Sequence, residues 1–251
     1  MPNFARVPLR GVRQFLREQN RRFVFRRAVR QVSKSPRAAE LPASTLQDLI
    51  YGWGNEGWSA QDEYIRTILR SAWKSRGPIL ECGSGLSTLL LGLVAQQTGC
   101  FVWSLEHDPF WARKVQEALK RHGIRSVKVC LAGLQSFGSY SWYAISENQL
   151  PRDFDLVVCD GPPGDTPGGR YGLLPQMKGR LRAECTILLD DAERAEEKEV
   201  LERWARELGS EFEIIGSAKP FARMTVPTRP SGPTPRVEPA PSISGTYPAD
   251  H

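Results

Sequence analysis

The chain of 251 residues is 40% hydrophobic and 25% charged, which is typical of a soluble globular protein with one substantial core. Its net charge of +6 is unevenly spread, because residues 1–40 hold eleven basic and two acidic residues, while the rest holds 23 basic and 26 acidic ones. The basic character therefore belongs to an N-terminal arm, and the globular part carries no strong nucleic-acid signal. The longest apolar runs are well short of a membrane span, and the N-terminus lacks the apolar stretch of a secretory signal.

The first 44 residues form this basic arm. Val12, Phe15, Leu16 and Phe23 recur near a helical period, with arginines between them. The pattern predicts a basic amphipathic helix, which can lie on an anionic membrane surface or approach a polyanionic substrate. The alternative is a helix that packs on its own domain or on a second subunit, as in a homodimer.

Residues 45–226 form the predicted globular domain, in which strand-like and helix-like stretches alternate. The predicted strands are rich in Val, Ile, Leu and Cys and span 78–82, 101–106, 127–131, 154–160 and 185–190. The predicted helices span 61–75, 86–97, 109–122, 172–182 and 192–208. The closing stretch SEFEIIGSAKPFARMTV reads as two short strands joined by a turn. The sequence therefore predicts an α/β, Rossmann-like, doubly wound fold with a mainly parallel seven-stranded sheet and a C-terminal antiparallel hairpin.

The two remaining signals concern the C-terminal tail and the cellular compartment of the protein. Residues 227–251 contain seven prolines and no apolar periodicity, so they are predicted to be disordered. The five cysteines are scattered, without a CxxC pair or a nearby histidine cluster, which predicts reduced core thiols. We therefore expect a cytoplasmic protein, with peripheral binding to a membrane surface left open by the arm.

The first predicted strand runs into a glycine turn, LECGSGLST. Gly83 and Gly85 allow a tight turn and close approach of a ligand to the backbone, and Ser87 and Thr88 can cap the helix that follows. Thr88 stands where a dinucleotide fingerprint needs its third glycine, and the turn lacks the lysine of a P-loop. Glu81, directly before the turn, disfavours a pyrophosphate and favours a ligand with a cationic amine.

Carboxylates also follow other strands, at the edge of the sheet where ligands of such folds bind. Glu106 ends the second predicted strand in SLEHD, and a carboxylate there can accept both hydroxyls of a ribose. His107, its neighbour in sequence, is a further candidate for contact with the cofactor. A ribose and an amine without phosphates describe S-adenosylmethionine.

In these motifs the chain resembles the class I S-adenosylmethionine-dependent methyltransferases. The matching stretches are LECGSG, SLEHD, FDLVVCDGPPG and LLDDAER, in this order and each at a predicted strand end. The resemblance covers about residues 45–226. It implies that the loop from Glu81 to Gly85, including Ser84, holds the methionine moiety of the cofactor, and that Glu106 holds the ribose.

The resemblance also points to candidate catalytic and metal-ligating residues. Asp160 ends the fourth predicted strand, beside the expected methyl group, and is the predicted catalytic residue and a cofactor contact. With Asp190 and Asp191 after the fifth strand, it is similar to the metal site of catechol-type O-methyltransferases, which implies Mg²⁺ or another divalent cation. The alternative is that Asp190 or Asp191 caps the helix predicted at 192–208.

The methyl acceptor is the least determined part of the prediction. The leading hypothesis is methylation of oxygen on a small-molecule or glycan-like acceptor. The alternatives are a nitrogen or nucleic-acid methyltransferase and a non-catalytic scaffold protein that binds the cofactor. Residues 51–60 are predicted either to form a lid over the site or to cover the sheet edge, and Arg170 either to bind an acidic acceptor or to be solvated.

Overall fold

The computed structural model describes residues 9–34, 41–54, 62–217 and 219–228. Among them the helices are α1 (Leu9–Lys34), α2 (Ala43–Trp53), α3 (Asp62–Lys74), α4 (Leu86–Thr98), α5 (Pro109–Arg121), α6 (Leu173–Met177) and α7 (Ala195–Leu208). The strands are β1 (Ile79–Cys82), β2 (Val102–Glu106), β3 (Val127–Leu131), β4 (Leu134–Ser136), β5 (Ser141–Tyr143), β6 (Phe154–Cys159), β7 (Leu181–Leu189), β8 (Phe212–Ile215) and β9 (Phe221–Thr225). None of these helices combines the length and apolar character needed to cross a bilayer. Nearly all of the tail predicted to be disordered lies outside the described residues.

The main sheet has seven strands in the order β3-β2-β1-β6-β7-β9-β8. The neighbouring strands β3, β2, β1, β6 and β7 pair in parallel, and β9 pairs antiparallel with both β7 and β8. The predicted Rossmann-like, mainly parallel sheet with a C-terminal hairpin is therefore confirmed. The strand order reverses between β1 and β6, which is the position where open sheets of this kind form a ligand crevice.

Apolar side chains cover both faces of the sheet, because the central strands alternate between two core clusters. Ile79 and Val158 face the cluster formed with α1 to α5, whereas Leu80 and Val157 face the cluster formed with β5, α6 and α7. Helix α4 is buried on nearly every side from Leu86 to Ala95, which explains its almost wholly apolar sequence. The five cysteines are free and four of them are buried, as expected of core thiols.

Three local predictions differ from the structure. The helix predicted at 172–182 is only Leu173–Met177, followed by a short 3₁₀ turn, and the chain is already extended at Leu181. Gly179, a weak helix former, lies in that turn, and pairing with β6 draws the following residues into a long β7. The helix predicted from residue 192 begins at Ala195. The short hairpin β4–β5 has no counterpart among the predicted strands.

Helix α1 divides into two parts with different surroundings. Its C-terminal part buries Phe25, Ala28, Val29 and Val32 in the core cluster shared with α2 and α4. The arm therefore packs on its own domain there. Three of the apolar residues that predicted an amphipathic helix face away from the fold instead: Phe15 is 61% exposed, Leu16 60% and Phe23 68%.

Candidate functional site

Four strand ends lie side by side where the strand order reverses. Backbone hydrogen bonds align them: the N–H of Gly83 donates to the end of β2 (2.9 Å), that of Asp160 to the end of β1 (2.9 Å), and that of Asp190 to the end of β6 (3.1 Å). The carboxylates predicted from separate motifs are thereby brought to one edge of the sheet. The arrangement follows from the parallel register of β2, β1, β6 and β7.

The two glycines of the first turn differ in what they require. Gly83 has φ +86°, and a Cβ there would lie 3.0 Å from the backbone nitrogen of Gly161, so the turns after β1 and β6 touch. Gly85 has φ −177°, which any residue adopts, and a Cβ there would meet only the Ser87 Oγ at 4.0 Å. Packing within the described chain therefore explains Gly83 but not Gly85.

Helix α4 begins directly after this turn. Gly85 occupies the N-cap position and has no side chain with which to cap the helix, and the predicted capping by Thr88 is confirmed. Thr88 contributes from the third helical position instead, where its Oγ1 accepts a hydrogen bond from the Gly85 N–H (2.8 Å). The same hydroxyl donates to Glu81 Oε2 (2.6 Å), so it connects the helix start to the end of β1.

The carboxyl group of Glu81 is fully buried, and its two oxygens differ in their hydrogen bonds. Its Oε2 accepts hydrogen bonds from Thr88 and from Ser104 Oγ (2.5 Å), whereas Oε1 has no partner among the described residues. Burial raises the pKa of Glu81 to about 7, although the two hydroxyls act in the opposite direction. A buried acceptor without a donor is what a ligand N–H would satisfy.

Glu106 holds the turns after β1 and β2 together. Its Oε1 accepts from the backbone N–H groups of His107 (2.8 Å) and Asp108 (2.9 Å), and Oε2 accepts from the Ser84 N–H (3.0 Å) and Oγ (2.6 Å). His107 Nδ1 lies 3.1 Å from Oε1. The predicted residues Ser84, Glu106 and His107 are thus in mutual contact. All four acceptor positions of the carboxylate are used, so the Ser84 hydroxyl must turn away for a ribose to bind.

Aromatic residues lie on the helical side of the glycine turn. The Trp111 Nε1–H donates to the Ser84 carbonyl, and the Trp53 ring meets the Trp111 ring edge-on at 6.3 Å. Lys114 Nζ lies 4.1 Å from the centre of the Trp111 ring. Residues 51–60 were predicted either to form a lid or to cover the sheet edge; Trp53 packs against Phe25 and Trp111, and Trp58 lies outside the described residues.

Asp160, Asp190 and Asp191 meet beyond the ends of β6 and β7. One oxygen from each lies within 4.8 Å of the others, so the predicted trio is brought together. The capping alternative is wrong, because α7 begins at Ala195 and Arg194 occupies its N-cap position. Both aspartates stay in the preceding loop, where Asp191 adopts φ +58°.

Arg170 is the main partner of this trio, and its role was not predicted. The guanidinium lies 2.8 Å from Asp191 Oδ2, 3.3 Å from Asp160 Oδ1 and 3.5 Å from Glu197 Oε1. It also donates to the Asp190 carbonyl (2.6 Å). With 2% of its side chain exposed, Arg170 is neither solvated nor open to an acceptor molecule. A loop arginine ten residues after Asp160 was the only signal in the sequence.

Lys219 is a second cation of the cluster that sequence reasoning missed. Its Nζ lies 2.9 Å from Asp190 Oδ2 and 3.2 Å from Asp191 Oδ1. Burial disfavours the ammonium, but the two aspartates outweigh this effect and raise the pKa of Lys219 above its ordinary value. The lysine belongs to the predicted GSAKP turn, which leads into β9. The pairing of β9 with β7 places this turn beside the aspartates that follow β7. Arg194 adds a third cation, 3.0 Å from Asp191 Oδ2.

The charges of the cluster do not balance. Four carboxylates face three cations, and the members are Asp160, Asp190, Asp191, Glu197, Arg170, Arg194 and Lys219. Although 28% of its side chain is exposed, desolvation by its surroundings and then the charge of Asp190 raise the pKa of Asp160 well above its ordinary value. Burial also works against the ionised form of Asp191, but Arg170 and Lys219 outweigh it and lower the pKa of Asp191. Asp160 is therefore a partly exposed member of the cluster with a raised pKa.

The predicted divalent cation can be tested against this arrangement. Three carboxylates are suitable donors for Mg²⁺. Here, however, Lys219 occupies the space between Asp190 and Asp191, and Arg170 pairs with Asp160. The residues as arranged do not fit a divalent cation, because its binding would have to displace a buried ion pair.

Comparisons with known proteins agree with the fold. No protein-family model matches the chain, and no curated protein matches it in sequence. Among solved structures, an O-methyltransferase from Bacillus cereus in complex with S-adenosylhomocysteine superposes with a TM-score of 0.52 at 16% identity, covering 79% of this chain and 90% of that one. The C-terminal domain of precorrin-6Y C5,15-methyltransferase from Rhodobacter capsulatus gives 0.50 at 13% identity, covering 68% and 91%. The chain thus has the fold of class I S-adenosylmethionine-dependent methyltransferases.

Proposed function

We propose that this chain is an S-adenosylmethionine-dependent methyltransferase that methylates oxygen on a small-molecule or glycan-like acceptor. The observation that carries the proposal is the row of carboxylates at adjacent strand ends around a lysine-free glycine turn. Glu81, Glu106 and Asp160 lie there at the reversal of strand order. Five free cysteines support a reducing compartment, the cytoplasm.

The charges and shapes of this edge support a cationic nucleoside as cofactor. The buried Glu81 Oε1 lacks a donor, which the ammonium of the cofactor would supply. Gly85 has an open position where a Cβ would project, so close approach of the ligand is the reason for a glycine there. The uncompensated carboxylate around Asp160 favours a positively charged ligand and disfavours a phosphate.

The chemical role assigned to this chain is modest, because the bound cofactor supplies an electrophilic methyl group on a good leaving group. The protein has to align the acceptor oxygen and receive its proton. Asp160 is the group for this step: it lies at the strand end beside the glycine turn, remains partly exposed and has a raised pKa. Arg170 holds the Asp160 carboxylate from the buried side and keeps it directed outward.

A non-catalytic cofactor-binding protein is the second candidate. It is favoured by the contact between Arg170 and Asp160, which reduces the basicity of that carboxylate.

Transfer to nitrogen on a small molecule uses the same residues and is distinguished from transfer to oxygen by the acceptor alone. The body of the domain has an acidic excess, which supports a small acceptor over nucleic acid.

Calorimetry with S-adenosylhomocysteine tests the cofactor, with NAD and ATP as competitors. We expect micromolar or tighter binding of S-adenosylhomocysteine and none of the others. Asp160→Asn should retain this affinity within about threefold and lose roughly 10²-fold or more in methyl transfer to an acceptor found by screening. Asp165→Asn, an exposed residue of the same loop, is the matched control. Tight binding of NAD or ATP instead would overturn the proposal, and an inactive wild type that binds the cofactor would favour the second candidate.

A further inference from the structure

The position of Lys219 is determined by the backbone around it. The Ala192 N–H, directly after the aspartate pair, donates to the Pro220 carbonyl (2.8 Å), and Leu189 pairs with Ala222 across β7 and β9. The turn that carries Lys219 is therefore attached to the loop that carries Asp190 and Asp191. A lysine held in this way differs from a surface lysine whose side chain meets an acid by chance.

The ammonium of Lys219 makes the contacts that a bound cation would make. It lies 2.9 Å from Asp190 Oδ2 and 3.2 Å from Asp191 Oδ1, and both aspartates are buried. On the other side, Arg170 contacts Asp191 and Asp160. Each carboxylate of the trio thus already faces a cation provided by the chain. Without Lys219, two buried carboxylates would face each other with Arg170 and Arg194 as their remaining partners.

We propose that Lys219 is the resident cation of the Asp160–Asp190–Asp191 cluster in place of a divalent metal, and that its side chain covers a latent metal site. Each carboxylate of the trio then has a cation of the chain as its partner without a metal, and removal of the ammonium exposes oxygens suited to Mg²⁺ or Mn²⁺. The claim that Lys219 excludes a divalent metal concerns only metal binding by the protein without cofactor. The consequence that methyl transfer needs no metal rests on the proposed function.

Titration of the full chain with Mn²⁺, followed by the electron paramagnetic resonance signal of the free ion, tests the binding claim. Wild type and Lys219→Arg should leave the signal of free Mn²⁺ unchanged. Lys219→Gln should bind about one Mn²⁺ per chain, and Lys219→Gln combined with Asp190→Asn should lose that site. Lys120→Gln, an exposed lysine on α5, should behave as wild type.

Loss of a buried partner can destabilise the variant, so thermal melting gives a second measurement. Mg²⁺ should raise the melting temperature of Lys219→Gln and not that of the wild type, because a ligand of the folded state stabilises it. The proposal is overturned if wild type binds Mn²⁺ as tightly as the variant, or if the folded variant binds none. Neither outcome depends on whether the protein binds S-adenosylmethionine, which the calorimetry above decides separately.

A second, independent observation concerns the outer face of α1, defined here by Phe15, Leu16, Phe23, Arg26, Arg27, Arg30 and Lys34. These residues are exposed and lie opposite the face that buries Phe25, Ala28 and Val29. The helix carries eight arginines, one lysine and one glutamate. Its outer face is thus apolar and aromatic toward the N-terminus and cationic toward the C-terminus, where a groove is lined by Phe23 and the basic residues.

We infer that the outer face of α1 binds an anionic membrane surface. A lipid interface accepts aromatic and aliphatic side chains just below charged headgroups, and arginines beside them pair with phosphate. The mixture of the two on one solvent-facing side favours this partner over nucleic acid, which would not require three exposed apolar residues. Charge complementarity therefore selects an anionic bilayer.

Sedimentation of the full chain with vesicles tests this inference. The protein should pellet with vesicles that contain phosphatidylglycerol and not with phosphatidylcholine alone, and high salt should weaken binding. Phe15→Ser with Leu16→Ser and Phe23→Ser should weaken binding about tenfold or more. Phe110→Ser removes an aromatic side chain on α5 that is 77% exposed, and it should have no effect. Equal binding by the triple variant, loss of a dimer as its only effect, or preference for DNA or RNA over vesicles would refute the inference.

Discussion

Arg170 and Asp191 form an ion pair of 2.8 Å with both side chains almost completely buried, directly behind the predicted catalytic carboxylate. The pair joins the loop after β6 to the loop after β7, and the guanidinium also reaches the Asp190 carbonyl. A single buried cation therefore fixes the relative position of two strand ends. The Arg170–Asp191 pair mainly determines where the two loops lie and adds little net stability, because desolvation offsets most of the attraction in a buried ion pair.

Replacing Arg170 with methionine should lower the free energy of unfolding by about 3–5 kcal/mol, because it leaves buried carboxylates without their main cation. Urea denaturation measures the change. Arg223→Met is the control, since its pair with Glu213 is well exposed and should contribute less than about 1 kcal/mol. Similar effects of the two substitutions would contradict the importance assigned to burial.

The stability of the unliganded protein should fall between about pH 4.5 and 7 on account of Glu81. The unfolded chain releases its proton near pH 4.5, whereas the folded one retains it until about pH 7, so folding is increasingly disfavoured across this window. The integrated effect is about 3 kcal/mol. Glu81→Gln should lack this dependence, which the difference between the two unfolding curves isolates. A constant difference from pH 4 to 8 would rule out the raised pKa.

Binding of the proposed cofactor should be linked to the same proton. A ligand ammonium next to Glu81 favours the ionised carboxylate, so binding near pH 6 should release a proton. Calorimetry in buffers of different ionisation enthalpy measures the release, and Glu81→Gln should abolish it. If the wild type and the variant release equal numbers of protons, the ammonium does not approach Glu81.

Alanine substitution should separate the two glycines of the turn after β1. Gly83→Ala places a side chain at φ +86° and against Gly161, so it should cost about 1–2 kcal/mol of stability or more. Gly85→Ala should leave stability nearly unchanged, because the new Cβ meets little within the described chain, and should weaken cofactor binding about tenfold or more. Thermal melting and calorimetry on both variants check these results. Unchanged affinity in Gly85→Ala would show that the ligand passes elsewhere.

Glu106→Gln should weaken binding of S-adenosylhomocysteine about tenfold or more, because a neutral amide is a poorer acceptor for ribose hydroxyls. Glu117→Gln, on the exposed side of α5, is a control with the same change in charge. Calorimetry compares the three proteins. Should both variants bind like wild type, the ribose does not lie at the end of β2.

The sequence alone determined the central strands, their parallel pairing, the closing hairpin and the acidic strand ends. Buried parallel strands are continuous apolar runs, so their positions are local signals, and a parallel sheet brings its strand ends to one edge. The edge residues Glu81, Glu106 and Asp160 could therefore be predicted together. The helix at 172–182 could not, because pairing of Leu181 with Phe154 overrides a helical pattern of similar local strength.

Only the tertiary structure decided what neutralises the acidic edge. Arg170 and Lys219 lie far apart in the sequence, and each sits in a loop that by itself predicts a solvated side chain. The pairing of β9 with β7 and the fold of the loop after β6 bring both cations to the same aspartates. Local patterns identify groups that can hold a charge, but the choice between a metal ion, a lysine and water depends on contacts between segments that only folding brings together.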